Sequence, residues 1–136
     1  MKKLAAIVLV VLLAGLTAFA QEQPLTPEQR EKQLYENIQK QVDDLASRLD
    51  LEDWQIFYAD SILTTNFGAL AKDFETLQRQ RVTDIEVYSR IQDDCMEKNF
   101  NALHAILSEQ QWAKYLKTGA AKEKRARDKR AAKRAK

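Results

Sequence analysis

The sequence predicts an all-α protein with one core, and three observations support this prediction. Residues that break helices are scarce, because the 136-residue chain holds only three glycines and two prolines. Both prolines, Pro24 and Pro27, lie near the start, and beyond them the only glycines are Gly68 and Gly119. A β-rich domain would need many more turn residues. Hydrophobic residues make up 45% of the chain, which is enough for one modest core.

The first 20 residues have the three parts of an export signal. A basic start at Met1–Lys3 precedes an apolar run from Leu4 to Leu16, and small residues follow at Ala18 and Ala20. We expect cleavage after Ala20 and export of the remaining chain. The alternative is an uncleaved membrane anchor, but the apolar run is short for a membrane span and no basic stop-transfer flank follows it.

The first mature helix is marked by its cap. Thr26 is a candidate N-cap, Pro27 suits the first helical position, and Gln29 completes a capping box. The apolar residues that follow recur every three or four positions and form a narrow stripe: Leu34, Ile38, Val42, Leu45 and Leu49. We expect the connection to the next helix to run from Ser47 to Asp50.

A second helix is predicted from about Leu51 to about Gln80, and it has two apolar faces. The core stripe consists of Ile56, Ala59, Leu63, Phe67, Leu70, Phe74 and Leu77. At about 100° per residue, a second face points away from that stripe and consists of Trp54, Phe57, Tyr58 and Ile62. Gly68 lies inside this helix, where it lowers helix stability without ending the helix.

A third helix is predicted to begin at Thr83, because Thr83 and Glu86 form a capping box and Arg81–Val82 makes a short connection. Its expected core face is Ile85, Tyr88, Cys95, Met96, Phe100, Leu103 and Ile106. A short connection makes the second and third helices antiparallel neighbours, which is a helical hairpin. The alternative is one continuous helix over residues 51–107, which would need a coiled-coil partner.

A fourth helix is predicted to begin at Ser108, where Gln111 closes another capping box. Its apolar side consists of Trp112, Tyr115 and Leu116. Residues 117–136 then hold 10 basic and two acidic side chains, a net charge of +8, whereas residues 21–116 hold 10 basic and 18 acidic ones, a net charge of −8. We expect this basic tail to be partly helical or disordered.

The charge of the tail suggests an anionic partner such as lipid headgroups. The candidate contacts are Lys122, Lys124, Arg125, Arg127, Lys129, Arg130, Lys133 and Arg134. No aromatic residue is interleaved with them, which argues against nucleic acid as the partner. The alternatives are a solubilising extension and a tail that folds back on its own acidic body or on a second subunit.

Three segments of the chain share one short pattern, in which Leu precedes a helix start and Gln follows it. The pattern residues are Leu25, Thr26 and Gln29 in the first segment, Leu51 and Gln55 in the second, and Leu107, Ser108 and Gln111 in the third. They resemble the LTxxQ signature of the Spy/CpxP family of small bacterial periplasmic proteins. The first segment matches fully, the third has Ser in place of Thr, and the second has Glu52 there. The resemblance covers residues 49–116, with 25–42 as a weaker extension.

The resemblance implies a periplasmic, dimeric, all-α and cradle-shaped protein, with the Spy/CpxP-like domain at 21–116. It further implies ATP-independent chaperone activity toward unfolded or misfolded proteins, damping of an envelope stress sensor or, in some branches, metal binding. A helix buries one stripe in a hairpin, so a second apolar face needs a partner. The expected contacts with a client or a second subunit are Trp54, Phe57, Tyr58 and Ile62. The alternative is burial of this face against the first helix, on Leu34, Ile38 and Val42.

The sequence gives little support for cofactor or catalytic chemistry. Cys95 and His104 are nine residues apart, not the three or four that place two ligands on one helix face, so we expect no metal. We find no acid, base and nucleophile set and no phosphate loop, so we expect no enzyme. Asp43–Asp44 and Asp93–Asp94 are typical of solvated faces. We expect Cys95 to be buried with its thiol pKa raised by acidic neighbours, or else bridged to another chain.

Overall fold

The computed structural model describes residues 23–136, and the predicted signal peptide at 1–20 lies outside them. The helices are α1 (Pro27–Leu49), α2 (Asp53–Arg79), α3 (Ile85–Ile106), α4 (Glu109–Tyr115) and α5 (Ala121–Arg134). This part of the chain contains no strand, so the all-α prediction is confirmed. None of its helices combines the length and apolar character that a membrane span requires. Residues 31–136 form one compact unit.

The connection between α1 and α2 is shorter than the sequence predicted. Helix α1 continues through Ser47 and Arg48 to Leu49, whose side chain is only 2% exposed. Burial of Leu49 stabilises this last turn, and Arg48 pairs with Asp44 at 2.8 Å one turn earlier. Asp50 then adopts a positive φ of 51°, a left-handed conformation that ends the helix.

Helices α2 and α3 form an antiparallel hairpin, as predicted. Contacts run in opposite directions along the two helices: Asn66 donates to Asn99 at 2.7 Å, and nearer the turn the rings of Phe74 and Tyr88 lie 5.4 Å apart. Between the helices Arg81 has a φ of 57°, so the alternative of one continuous helix is wrong.

The start of α3 differs from the prediction in two respects. Its N-cap is Asp84 and not Thr83, because the Asp84 carboxylate accepts a hydrogen bond from the backbone N–H of Glu86 at 3.0 Å. Ile85, predicted as a core residue, is 73% exposed. It is the first residue of α3, at the end of the hairpin, where the periodic pattern no longer has a helix opposite it.

The core of residues 31–136 lies along one stripe on each of the first three helices. The buried apolar side chains on these helices are Ile38, Val42 and Leu49 on α1, Ala59, Leu63, Phe67 and Leu70 on α2, and Cys95 and Leu103 on α3, and Ala120 is buried before α5. Gln39 of α1 donates to the carboxylate of Asp60 of α2 at 2.7 Å, which fixes these two helices in register. The predicted stripes of α1 and α2 are therefore the ones that the protein buries.

A wide turn at Leu116–Ala120 separates α4 from α5. Gly119 has a φ of 106° there, which side-chain-bearing residues rarely adopt. The turn redirects the chain so that α5 lies along α3. Of the two expectations for the tail, helix formation is therefore the one that the structure shows, over Ala121–Arg134.

Candidate functional site

The second and third LTxxQ-like segments meet at a junction held by two glutamines. Gln55 Nε2 donates to Gln111 Oε1 at 2.7 Å, and Gln111 Nε2 donates to Gln55 Oε1 at 3.0 Å. Gln55 is only 3% exposed. We name this pair of side chains and their backbone partners the motif junction. It joins the start of α2 to the start of α4, 56 residues apart in the chain.

Each glutamine of the motif junction also binds its own helix start and the opposite segment. Gln55 Oε1 accepts from the N–H of Glu52, and Gln111 Oε1 accepts from the N–H of Ser108, both at 2.9 Å. Gln55 Nε2 also donates to the carbonyl of Ile106 at 2.9 Å. Gln111 Nε2 donates to the carbonyl of Leu49 at 3.3 Å. The arrangement is nearly two-fold symmetric, and it satisfies polar groups that would otherwise be costly to bury.

The first LTxxQ-like segment forms the same local cap. The N–H of Thr26 donates to Gln29 Oε1 at 2.9 Å, and the N–H of Gln29 donates to Thr26 Oγ1 at 3.2 Å. This is the predicted capping box. Leu25, which precedes it, is 41% exposed.

An open groove of about 390 Å³ lies beside the motif junction. Its lining combines backbone and polar groups with apolar side chains: Glu52, Trp54, Gln55, Ala105, Ile106, Leu107, Ser108 and Gln111. Glu52 accepts a hydrogen bond from the indole Nε1 of Trp54 at 2.7 Å, which fixes the ring at the edge of the groove. The groove therefore has one aromatic wall that is also part of the second apolar face of α2.

That second face is exposed at three of its four predicted positions. Trp54 is 49%, Phe57 69% and Tyr58 51% exposed, whereas Ile62 is half-buried. The rings pack on each other edge to face, with centroids 6.2 Å apart for Trp54 and Tyr58 and 5.6 Å apart for Phe57 and Tyr58. We name these three residues the aromatic surface. Because they are exposed, the alternative of burial against α1 is wrong for them.

The basic tail docks on an acidic face of α3. Lys124 lies 2.7 Å and Arg127 3.3 Å from the carboxylate of Glu97. Arg130 makes two hydrogen bonds to Asp93, at 2.8 and 2.9 Å. Arg134 contacts Asp93 at 3.0 Å and Glu86 at 2.6 Å. We name these four basic residues the inner row, and Asp93 belongs to its docking face and not to a solvated one.

Arg127 is the most deeply placed residue of the inner row. It is 6% exposed, and its guanidinium carbon lies 5.5 Å from the ring centroid of Phe100. Phe100 packs edge to face on Trp112 at 4.8 Å, and Trp112 stacks on His104 at 4.0 Å. Arg127 therefore combines an ion pair with a cation–π contact, a combination that a guanidinium makes well.

The ion pairs change the proton affinities of the charged groups. Burial alone would raise the pKa of the Asp93 carboxyl, but the hydrogen bonds from Arg130 and Arg134 outweigh it and the net pKa is lowered. Hydrogen bonds to Asp128 and Glu97 raise the pKa of the Lys124 ammonium. Both pKa shifts favour the charged forms. The inner row is therefore docked most firmly at pH values at which the carboxylates of α3 are ionised.

The other four predicted contacts with an anionic surface face the opposite way. Lys122, Arg125, Lys129 and Lys133 are all exposed, and none has an ion-pair partner within residues 23–136. We name these four residues the outer row. The eight residues that the sequence grouped together thus form two rows with different surroundings.

The two side chains weighed as metal ligands lie in different surroundings. Cys95 is buried on α3 and its thiol contacts the carbonyl of Asn66 at 3.5 Å, whereas His104 is exposed and stacks on Trp112. In the described part of the chain, no three His, Cys, Asp or Glu side chains are grouped as a metal site would require. Burial raises the pKa of the Cys95 thiol to about 11, with the charge of Asp73 adding to it and Lys98 opposing. The sequence predicted that acidic neighbours raise this pKa, but burial is the main cause.

The sequence left a tail folded back on its own acidic body as one of several alternatives, and the structure shows this one, on α3. Glu86, Asp93 and Glu97 face one side of α3 over a length of 11 residues, and the inner row faces one side of α5 over 10 residues, in reverse order. That complementary spacing was the signal available in the sequence.

Comparison with known protein families, with characterised proteins and with solved structures gives no match for the chain.

Proposed function

We propose that this protein binds apolar segments of unfolded or misfolded proteins without ATP, through the aromatic surface. The observation that carries the proposal is the exposure of Trp54, Phe57 and Tyr58 on one face of α2, beside an open groove. Large aromatic side chains supply much of the binding energy at protein interfaces, and clusters of them on a surface mark interaction sites.

The construction of the surface supports this role. The edge-to-face contacts and the bond from Trp54 to Glu52 hold the rings in place before any partner arrives, so little side-chain entropy is lost on binding. The motif junction anchors the start of α2 on α4, which keeps the groove and the rings together. The likeness of the capping segments to the Spy/CpxP signature points to the same function, in the periplasm of a bacterium and as a homodimer.

Aggregation of a chemically unfolded client, followed by light scattering, tests the proposal. The double variant Trp54→Ala, Tyr58→Ala should keep the stability of the parent protein, because both side chains are about half exposed. It should need roughly tenfold more protein to give the same delay in aggregation. Undiminished suppression by this variant would contradict the proposal.

Two tyrosines provide the matched control. Tyr35 on α1 is 52% exposed and Tyr58 is 51% exposed, but Tyr35 is outside the aromatic surface. Tyr58→Ala should weaken client binding, whereas Tyr35→Ala should leave it unchanged. A second copy of the chain could occupy the same surface. Sedimentation velocity of both variants measures whether a dimer is lost and so distinguishes self-association from client binding. Loss of a dimer without loss of client binding would assign the surface to self-association.

A further inference from the structure

The outer row is a straight ridge of positive charge on α5. At about 100° per residue, Lys122, Arg125, Lys129 and Lys133 fall within an arc of about 80°. From the first to the last the row is about 17 Å long, at about 1.5 Å per residue. The inner row occupies the opposite side of the helix, where it pairs with Glu97, Asp93 and Glu86 of α3 and with Asp128 of α5.

Docking of the inner row on α3 fixes the positions of the outer row. A 14-residue segment with this many like charges would be a marginal helix by itself in water. The ion pairs and the buried Arg127 hold α5 on α3, so the four outer cations point in one direction before any partner binds. A partner of the outer row therefore does not have to offset the entropy of ordering a flexible tail.

We propose that the outer row docks the protein on a membrane surface that contains anionic phospholipids. The row is straight, and its intervening exposed residues include Ala126 and Ala132 but no aromatic or large aliphatic side chain. Such a row does not insert into the bilayer or stack on bases. It matches a flat array of headgroups, whose lipids diffuse laterally to meet fixed charges.

The charge of the rest of the protein favours one orientation on that surface. Residues 21–116 carry a net charge of −8 and are repelled by anionic headgroups. Within residues 23–136, the outer side of α5 is the place where several cations without an ion-pair partner lie in a row, so the protein binds with α5 toward the membrane. Because each basic residue near an anionic surface contributes a factor of roughly five to partitioning, the whole row is needed for measurable binding.

Co-sedimentation of the purified protein with vesicles tests this proposal. Vesicles of phosphatidylcholine with about one third phosphatidylglycerol should bind the protein, and phosphatidylcholine vesicles should not. The triple variant Lys122→Gln, Lys129→Gln, Lys133→Gln should bind roughly a hundredfold more weakly, at about fivefold for each charge. Its far-ultraviolet circular dichroism should equal that of the parent, because these side chains make no ion pair with residues 23–136.

A matched control separates the row from net charge alone. Lys32, Lys40 and Lys72 are exposed lysines on α1 and α2, and their triple Gln variant has the same net charge as the first. It should bind the vesicles as the parent does, within about twofold. Equal losses in both variants, or no loss in the first, would overturn the proposal, and tighter binding to duplex DNA than to vesicles would replace the assigned partner. None of these substitutions touches the aromatic surface, so client binding is tested separately.

Discussion

Helices α2 and α5 show opposite relations between composition and burial. The first half of α2 is apolar on two faces, and the face that carries its large aromatic side chains is left in solvent. Helix α5 has no apolar residue larger than alanine, yet it lies against α3 and buries Arg127 to 6% exposure. Hydropathy alone would have assigned burial to the first and solvent to the second.

The difference shows that a side chain is buried where a complementary surface exists. Trp54, Phe57 and Tyr58 have no opposing helix in the described structure, whereas each member of the inner row meets a carboxylate of α3 at a matching position. Exposed ion pairs each contribute little, but several pairs on one rigid face act together. Three substitution experiments test this contrast.

The largest effect is expected from two phenylalanines of α2 that differ only in their surroundings. Phe67 is 3% exposed and Phe57 is 69% exposed. Phe67→Ala should lower the free energy of unfolding by about 3–5 kcal/mol, because it leaves a cavity in the core. Phe57→Ala should change it by less than about 0.5 kcal/mol. Urea denaturation measures both, and a large loss for Phe57→Ala would mean that the aromatic surface is packed and not free.

Two arginines of α5 give the next largest difference. Arg127→Ala removes a buried guanidinium from Glu97 and Phe100 and should lower the free energy of unfolding by about 2 kcal/mol. Arg125→Ala removes the same charge from the outer row and should change it by less than about 0.5 kcal/mol. Chemical denaturation of the two variants compares them directly. Similar losses would show that α5 is not docked on one face.

The smallest change in unfolding free energy is expected from Asp93→Asn, and it should depend on pH. Because folding lowers the pKa of Asp93, the folded state favours the ionised form, and the stabilisation is present above the ordinary carboxyl pKa and lost as the pH falls through the lowered one. The parent protein should exceed Asp93→Asn in unfolding free energy by about 1 kcal/mol at pH 6.

The same comparison at acid pH completes the test. At a pH below the lowered pKa, where Asp93 is protonated in the folded state as well, the parent protein and Asp93→Asn should have the same free energy of unfolding. Urea denaturation at a series of pH values measures the difference between them. A difference that does not depend on pH would show that the ion pairs with Arg130 and Arg134 do not depend on the ionised carboxylate.

Much of the fold was predictable because its signals are local. The capping residues Thr26 and Ser108 mark the starts of α1 and α4, and the apolar periodicity of α1 and α2 identifies their buried stripes. The start of α3 was less certain, because Thr83 and Asp84 are both good caps and only the geometry of the turn selects Asp84.

The candidate sites depend on contacts between distant segments, which periodicity does not reveal. The sequence shows that Gln55 and Gln111 follow helix starts, but it does not show that they bind each other. The aromatic surface was predicted as a face, while its exposure depends on where α1 lies. The split of the tail into two rows depends on which side of α5 meets α3.

The turn at Gly119 decides which side of α5 faces α3. A helix turns by about 100° per residue, so one residue added to the turn would rotate α5 by more than a quarter of a circle relative to α3. Lys129 and Lys133 would then take the places of Arg130 and Arg134, whereas Glu123 and Ala126 would take those of Lys124 and Arg127. The length of this turn thus decides which basic side chains of α5 pair with the carboxylates of α3 and which remain exposed to solvent and to partners.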